Sequence, residues 1–145
     1  MLITRETDYA LRMLRVLLDE EKHSAAEMAE TELIPMQFAY QILRKLSAGE
    51  LVQVSRGAAG GCRLSCDLRG VSLYDLMDVM GEHDVLCACM EPGYDCRWQS
   101  EHGKCDIHCQ LTELQLKQDE AFRAVSLHRL LTGEAIKKEE VTQQT

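Results

Sequence analysis

The spacing of apolar residues changes period twice within the first eighty positions, and this limits the possible folds more than any other feature of the chain. Helices repeat near 3.6 residues and strands at 2, so each change marks a new kind of element. Thr4 is a good helix N-cap, Glu6 suits the positive end of the helix dipole, and Ala10, Met13, Leu14, Leu17 and Leu18 fall on one face. That helix ends in the charged turn at 19–22. Ser24 followed by Glu27 forms a capping box for a short helix through Met28 and Ala29. Pro35 opens a third helix with Phe38, Ile42 and Leu46 on one side and Gly49 as its stop. Residues 51–55 then alternate, 63–65 can pair with them, and the RGAAGG between supplies glycines for a wide hairpin tip. Ser72 with Asp75 caps a further helix carrying Leu73, Leu76, Met77 and Met80, which Gly81 ends. Three helices, a hairpin and a fourth helix in this order read as a winged helix-turn-helix over residues 1–80.

The 145 residues leave room for one ordinary domain, or for a small domain with an appendage, and exclude the large catalytic barrels. With 46% hydrophobic residues and only 2 prolines the chain has enough material for a core. No run approaches the roughly 18–20 apolar residues of a membrane span, and MLITRETDYA has no apolar leader, so a cytoplasmic protein without a membrane partner is expected. Periodicity disappears between Glu82 and Gln110, where five of the seven cysteines lie. Beyond it Leu111, Leu114, Gln118, Ala121, Phe122 and Val125 mark a longer helix, followed by a short one at 126–131 that Gly133 stops. A long amphipathic helix beyond such a loop finds its natural partner in a second copy, giving a two-fold dimer. The expected fold is mainly α with a small β-wing, a winged helix-turn-helix plus a long C-terminal dimerisation helix. Its parts are a DNA-binding domain at 1–80, a cysteine-rich loop at 81–110, dimer and short helices at 111–133, and a polar tail at 134–145.

In such a motif the third helix enters the major groove, with Gln37, Tyr40, Gln41 and Arg44 meeting base edges or phosphates. Arg56, at the foot of the wing, suits the minor groove or a phosphate. The alternative is a winged fold used only for protein contacts, with the same residues as a solvated face. A net charge of −8 opposes a nucleic-acid partner until it is divided. Residues 1–70 carry nine Lys/Arg against ten Asp/Glu, whereas 71–145 carry seven against fourteen, and 37–70 carry five against two. The proposed reading surface has the sign that DNA requires.

The cysteine segment, CACMEPGYDCRWQSEHGKCDIHCQL, holds Cys87, Cys89, Cys96, Cys105 and Cys109 with His102 and His108. Thiolates are soft ligands for iron–sulfur clusters and zinc, and seven cysteines in a reducing compartment point to metal or redox chemistry. The wide spacing Cys89-x6-Cys96-x8-Cys105 fits a cluster on three thiolates plus one other ligand better than the close pairs of a structural zinc site.

The opening ITRETDYALR, the helix end ILRKL, the wing SRGAAGGCRL, the helix VSLYDLMDVM and the cysteine loop resemble the winged-helix iron–sulfur transcriptional regulators, the family that includes IscR, NsrR and CymR. The resemblance covers about residues 1–131. It implies a homodimer on palindromic double-stranded promoter DNA. It also implies a 2Fe–2S or 4Fe–4S cluster on Cys89, Cys96 and Cys105, and DNA reading by Gln37, Tyr40, Gln41 and Arg56. Members differ in the fourth ligand: His108 reproduces one arrangement, Asp8 of the partner subunit another, and Cys109 is a third candidate. His108 is taken here. Cys87 competes with Cys89 for its place, and the loop spacings are longer than those of IscR, so cluster type does not carry over. Cys62 stands in the wing where the family usually has tyrosine, Cys66 is a further addition, and both are read as packing residues. Gly49-Glu50 reverses the family's usual order at the end of the reading helix.

The expected function is a homodimeric DNA-binding regulator that senses redox, iron–sulfur or nitric oxide status through the loop-bound cluster. The alternatives are a cluster-free thiol regulator or a zinc-containing one in the same fold, or an iron–sulfur carrier that does not touch DNA. No nucleophile–base pair, phosphate-cradling loop or carboxylate pair calls for an enzyme.

Overall fold

The computed structural model describes residues 3–82 and 85–134; the expected polar tail lies, past residue 134, outside the described residues. Helix α1 (Arg5–Val16) starts where the Thr4 side chain accepts from the Thr7 N–H. Helix α2 (Ala25–Thr31) carries the complete Ser24/Glu27 capping box, and α3 (Met36–Ala48) follows Pro35. Strands β1 (Val52–Ser55) and β2 (Gly61–Leu64) pair antiparallel, Val52 opposite Leu64 and Ser55 opposite Gly61, and form the wing. Helix α4 (Leu73–Met80) has the Ser72/Asp75 box and ends at Gly81, whose φ of 76° is the left-handed conformation glycine adopts without strain.

The core lies between these elements. Met13, Leu14 and Leu17 of α1 and its following turn, Met28 of α2, Ile42 and Leu46 of α3 and Leu76 of α4 are fully buried. The buried thiol of Cys62 also belongs to this cluster, and Cys66 packs against its edge. The end of α3 departs from a simple glycine stop. Gly49 has an ordinary φ of −83°, and an added Cβ there would lie 2.5 Å from a methyl group of Val79. It is small because α3 and α4 approach closely at that point. Glu50, one residue later, takes the left-handed φ of 58° instead, a conformation that costs an L-residue roughly 1–2 kcal/mol.

The aperiodic segment contains more structure than its spacing announces. A 3-10 turn covers Ala88–Met90, and helix α5 (Arg97–His102) is braced by an Arg97–Glu101 pair at 2.8 Å and by Trp98 stacked on His102. Helix α6 (Asp106–Arg123) begins five residues before the apolar pattern that marks it, so His108 and Cys109 lie on a helix. Its N-cap is Cys105, whose sulfur accepts from the His108 N–H at 3.5 Å. A thiol in that role is invisible to a search for Ser, Thr, Asp or Asn.

No residue of α6 is buried in the single chain, and Ile107, Leu114 and Leu116 are exposed. Its far end nevertheless rests on α4, with the Arg123 guanidinium 3.5 Å from the centre of the Tyr74 ring. Helix α7 (Leu127–Thr132) then returns to the first eighty residues. Ser126 bridges to Ser72, the Leu73 N–H donates to the Val125 carbonyl at 2.9 Å, and the Leu127 N–H donates to Val71 at 2.8 Å. Leu127 is fully buried in the core. The short helix therefore completes the winged domain, although 126–133 stands with the dimer helix in the linear reading.

Among the described residues no helix is long and apolar enough to cross a membrane. Leu127→Ala leaves a cavity in the core of the winged domain. We expect it to lower stability by about 2–5 kcal/mol, read as a lower urea midpoint with an unchanged m-value.

Candidate functional site

Helix α3 has one buried face, Ala39, Ile42, Leu43 and Leu46, and this fixes what the opposite face presents. Gln37, Tyr40, Gln41 and Arg44 occupy positions i, i+3, i+4 and i+7 and are all exposed, Tyr40 to 62%. Arg56 is exposed at the base of the wing tip. Neither Arg44 nor Arg56 has an ion-pair partner among the described residues. The helix thus offers two amides, a phenol and a guanidinium to whatever lies against it.

Gln41 is less free than its spacing implies. Its amide nitrogen donates to Glu6 of α1 at 3.1 Å, and Lys45, one turn further on, meets the same carboxylate at 2.7 Å. Lys45 also donates to the Met80 carbonyl at the end of α4, 3.1 Å away. Glu6 and Lys45 therefore hold α3 in place; the sequence marks Glu6 only for the α1 dipole and does not pair it with Lys45, because their contact depends on how α1 crosses α3.

A second polar junction lies at the start of α1. The side chain of Glu82, two residues beyond α4, accepts hydrogen bonds from the hydroxyls of Thr4 and Thr7, and Thr7 is fully buried. Nothing in the linear sequence pairs Glu82 with threonines some seventy-five positions earlier.

The cysteine segment draws its donors together where the 3-10 turn meets the start of α6. The Cys89 sulfur lies 3.3 Å from His108 Nδ1 and 3.5 Å from the Cys87 sulfur. The Cys105 sulfur sits in the same turn as His108. Contact with the Cys87 thiol, burial, and the nearby charges of Cys87, Cys96 and Cys105 together push Cys89 above the usual thiol range. The backbone N–H of Cys89, its thiol and the Ala88 N–H hold Cys87 below that range. Gathering several thiolates is unfavourable without a cation among them, and a thiophilic metal relieves that repulsion.

The expected ligands are thus partly assembled. Cys89, Cys105 and His108 are brought together, and Cys96 lies within electrostatic reach of Cys89. Even so, among the described residues no three His, Cys, Asp or Glu side chains are arranged to hold a metal ion. The donor chemistry fits a cluster, all four groups are partly exposed, and none is locked in a packed core. Of the other candidates, Asp8 pairs with Arg12 at 3.0 Å on α1, and Cys109 lies one helical turn past Cys105. His102 is engaged with Trp98, through ring stacking and through Nδ1 against the Trp98 carbonyl at 3.1 Å.

Residues 3–133 match the family described as Rrf2, iron-dependent transcriptional regulator. The chain belongs to the Rrf2 family. Protein aau3 of Rhizobium meliloti (strain 1021) is 31% identical over 99 residues, 66% of this chain and 64% of that protein, so the match spans just under two thirds of the relative. Among solved structures, T. potens IscR superposes with a TM-score of 0.66 at 16% identity, covering 97% of this chain and 96% of that one. CymR, the global cysteine regulator of B. subtilis, gives 0.66 at 17% identity over 93% and 99%. At such identities the likeness establishes the fold, and the Rrf2 winged-helix architecture expected from the sequence is the one found.

Burial raises the Cys62 and Cys66 thiols, which leaves less thiolate on each at mildly alkaline pH. In the reduced, metal-free protein, iodoacetamide should therefore modify Cys87 well before Cys62 or Cys66. Unfolding in urea should abolish the difference, as followed by peptide mass spectrometry.

Proposed function

We propose that this Rrf2-family regulator acts as a homodimer on palindromic promoter DNA in the cytoplasm and responds to redox, iron–sulfur or nitric oxide status through an iron–sulfur cluster. The observation that carries the reading is the convergence of Cys89, Cys105 and His108 at the start of α6, with Cys96 in electrostatic reach. These four residues would hold the cluster, which supplies a centre that oxidants, iron loss or nitric oxide can alter. The exposed row Gln37, Tyr40, Gln41 and Arg44 would enter the major groove, where Gln matches adenine and Arg matches guanine. Arg56 on the wing would take a phosphate or the minor groove.

The residues between the two sites support a coupling. The segment leaves α4 at Glu82, which holds Thr4 and Thr7 at the start of α1. One turn away, Lys45 ties the reading helix to Glu6 and to the end of α4. Ordering of the cysteine segment would thus bear on helices that set the angle of α3. Two reading helices must meet half-sites about 34 Å apart, so a small rotation changes affinity. The exposed apolar residues of α6, Ile107, Leu114 and Leu116, support its pairing with a second copy.

A second reading, a cluster-free thiol regulator on the same fold, is favoured by the lack of a three-donor metal arrangement among the described residues. Anaerobic reconstitution separates the two. We expect a coloured protein with bound iron and sulfide, and loss of that colour in Cys96→Ala and Cys105→Ala; a colourless, iron-free product leaves the thiol reading. Selection of DNA fragments on the reconstituted protein should yield a palindrome. On that site Arg56→Ala should weaken binding and lower the salt slope by about one if the arginine contacts phosphate. Absence of specific binding by the parent protein would exclude the regulator mechanism altogether.

A further inference from the structure

Cys87 has no part in the ligand set proposed above, yet its sulfur lies 3.5 Å from that of Cys89. Among the described residues this is the one pair of cysteine sulfurs in hydrogen-bonding contact. The proximity comes from the backbone. Cys87 is extended, with φ −145° and ψ 140°, and the chain turns at once into the 3-10 turn Ala88–Met90. In a continuous strand, residues two apart would share a face but stand roughly 6–7 Å apart, and the turn folds the second thiol back onto the first. Both cysteines are partly exposed, and neither they nor their neighbours at 85–100 are buried in the core. Small oxidants can reach them, and little packing resists closure by the roughly 1.5 Å that separates this contact from a disulfide bond.

We propose that Cys87 and Cys89 form a reversible disulfide in the cluster-free protein and that this disulfide gates cluster loading. The oxidant is a peroxide. One thiolate attacks the peroxide O–O bond and becomes a sulfenic acid, releasing one water once the departing oxygen is protonated. The second thiol then attacks that sulfur, the S–S bond forms, and the sulfenic oxygen leaves as a second water. Two thiols and one hydrogen peroxide thus give one disulfide and two waters. Cys89 in this form has no thiolate to offer, and Cys87 acts as a lock on a ligand rather than as a ligand. A dithiol reductant returns both thiols and reopens the site. The gating half of this proposal rests on the iron–sulfur reading; the disulfide itself does not.

The test treats the reduced, metal-free full chain with hydrogen peroxide and cleaves before Asp84 and Asp95. The resulting peptide, residues 84–94, contains Cys87 and Cys89 and no other cysteine. We expect it lighter by two hydrogen atoms, refractory to alkylation, and restored by dithiothreitol. Iron and sulfide uptake should be lost after peroxide in the parent and regained on reduction, whereas Cys87→Ala should load before and after the same dose. A peptide 84–94 with two free thiols while a disulfide forms elsewhere overturns the pairing. Cys87→Ala that fails to load before peroxide makes Cys87 a ligand, and failure only after peroxide places the sensitive thiol elsewhere; either result overturns the gate. A parent that never takes up a cluster overturns the iron–sulfur reading, and the peptide mass alone then decides the disulfide.

Discussion

The carboxylate of Glu82 between the hydroxyls of Thr4 and Thr7 is the contact on which the arrangement of the helices depends. Thr7 is completely buried, and a buried hydroxyl without a partner would cost on the order of 1–3 kcal/mol. The partner comes from the far end of the domain, so satisfying it fixes the end of α4 against the beginning of α1. The negative charge also faces the positive end of the α1 dipole. One turn away Lys45 links α3 to Glu6 on α1 and to the Met80 carbonyl at the end of α4. Three helices are thereby joined by polar contacts beside the point where the chain departs for the cysteine segment.

That segment is fixed at both ends. Glu82 holds its beginning, and the Ser72–Ser126 bridge with the Leu73–Val125 hydrogen bond holds the chain beyond it. The donor groups sit between these anchors, on the 3-10 turn and at the start of α6. A loop held at two ends pays its closure entropy in advance, so ordering its interior costs less than folding a free appendage would.

The winged part of the fold was readable because its signals are local. Capping boxes at Ser24/Glu27 and Ser72/Asp75, the alternation through β1 and the glycine-rich tip each depend on a few neighbouring residues. The exposed face of α3 was legible for the same reason, since a helix with a buried Ile42 and Leu46 must expose Gln37, Tyr40 and Arg44. What escaped depends on distant partners or uncommon roles. Cys105 caps α6 with sulfur, which puts the helix start at Asp106, ahead of His108, and Gly49 is small for the sake of Val79 rather than for its own φ. The Glu82–Thr7 and Lys45–Glu6 contacts join positions far apart in sequence. The cysteine spacing singled out Cys89, Cys96 and Cys105 as candidates, whereas the contact of Cys89 with Cys87 and His108 needed the turn that only three dimensions supply.

The return of Leu127 to the core sets an order of events during synthesis. A chain emerging from the ribosome presents α3 early, but the Leu127 side chain that joins the core comes only after every cysteine of the segment has been made. The winged domain therefore completes its core only on a nascent chain that already carries the cysteine segment. A product truncated within the cysteine segment lacks Leu127, a piece of the core that α3 shares through Ile42 and Leu46.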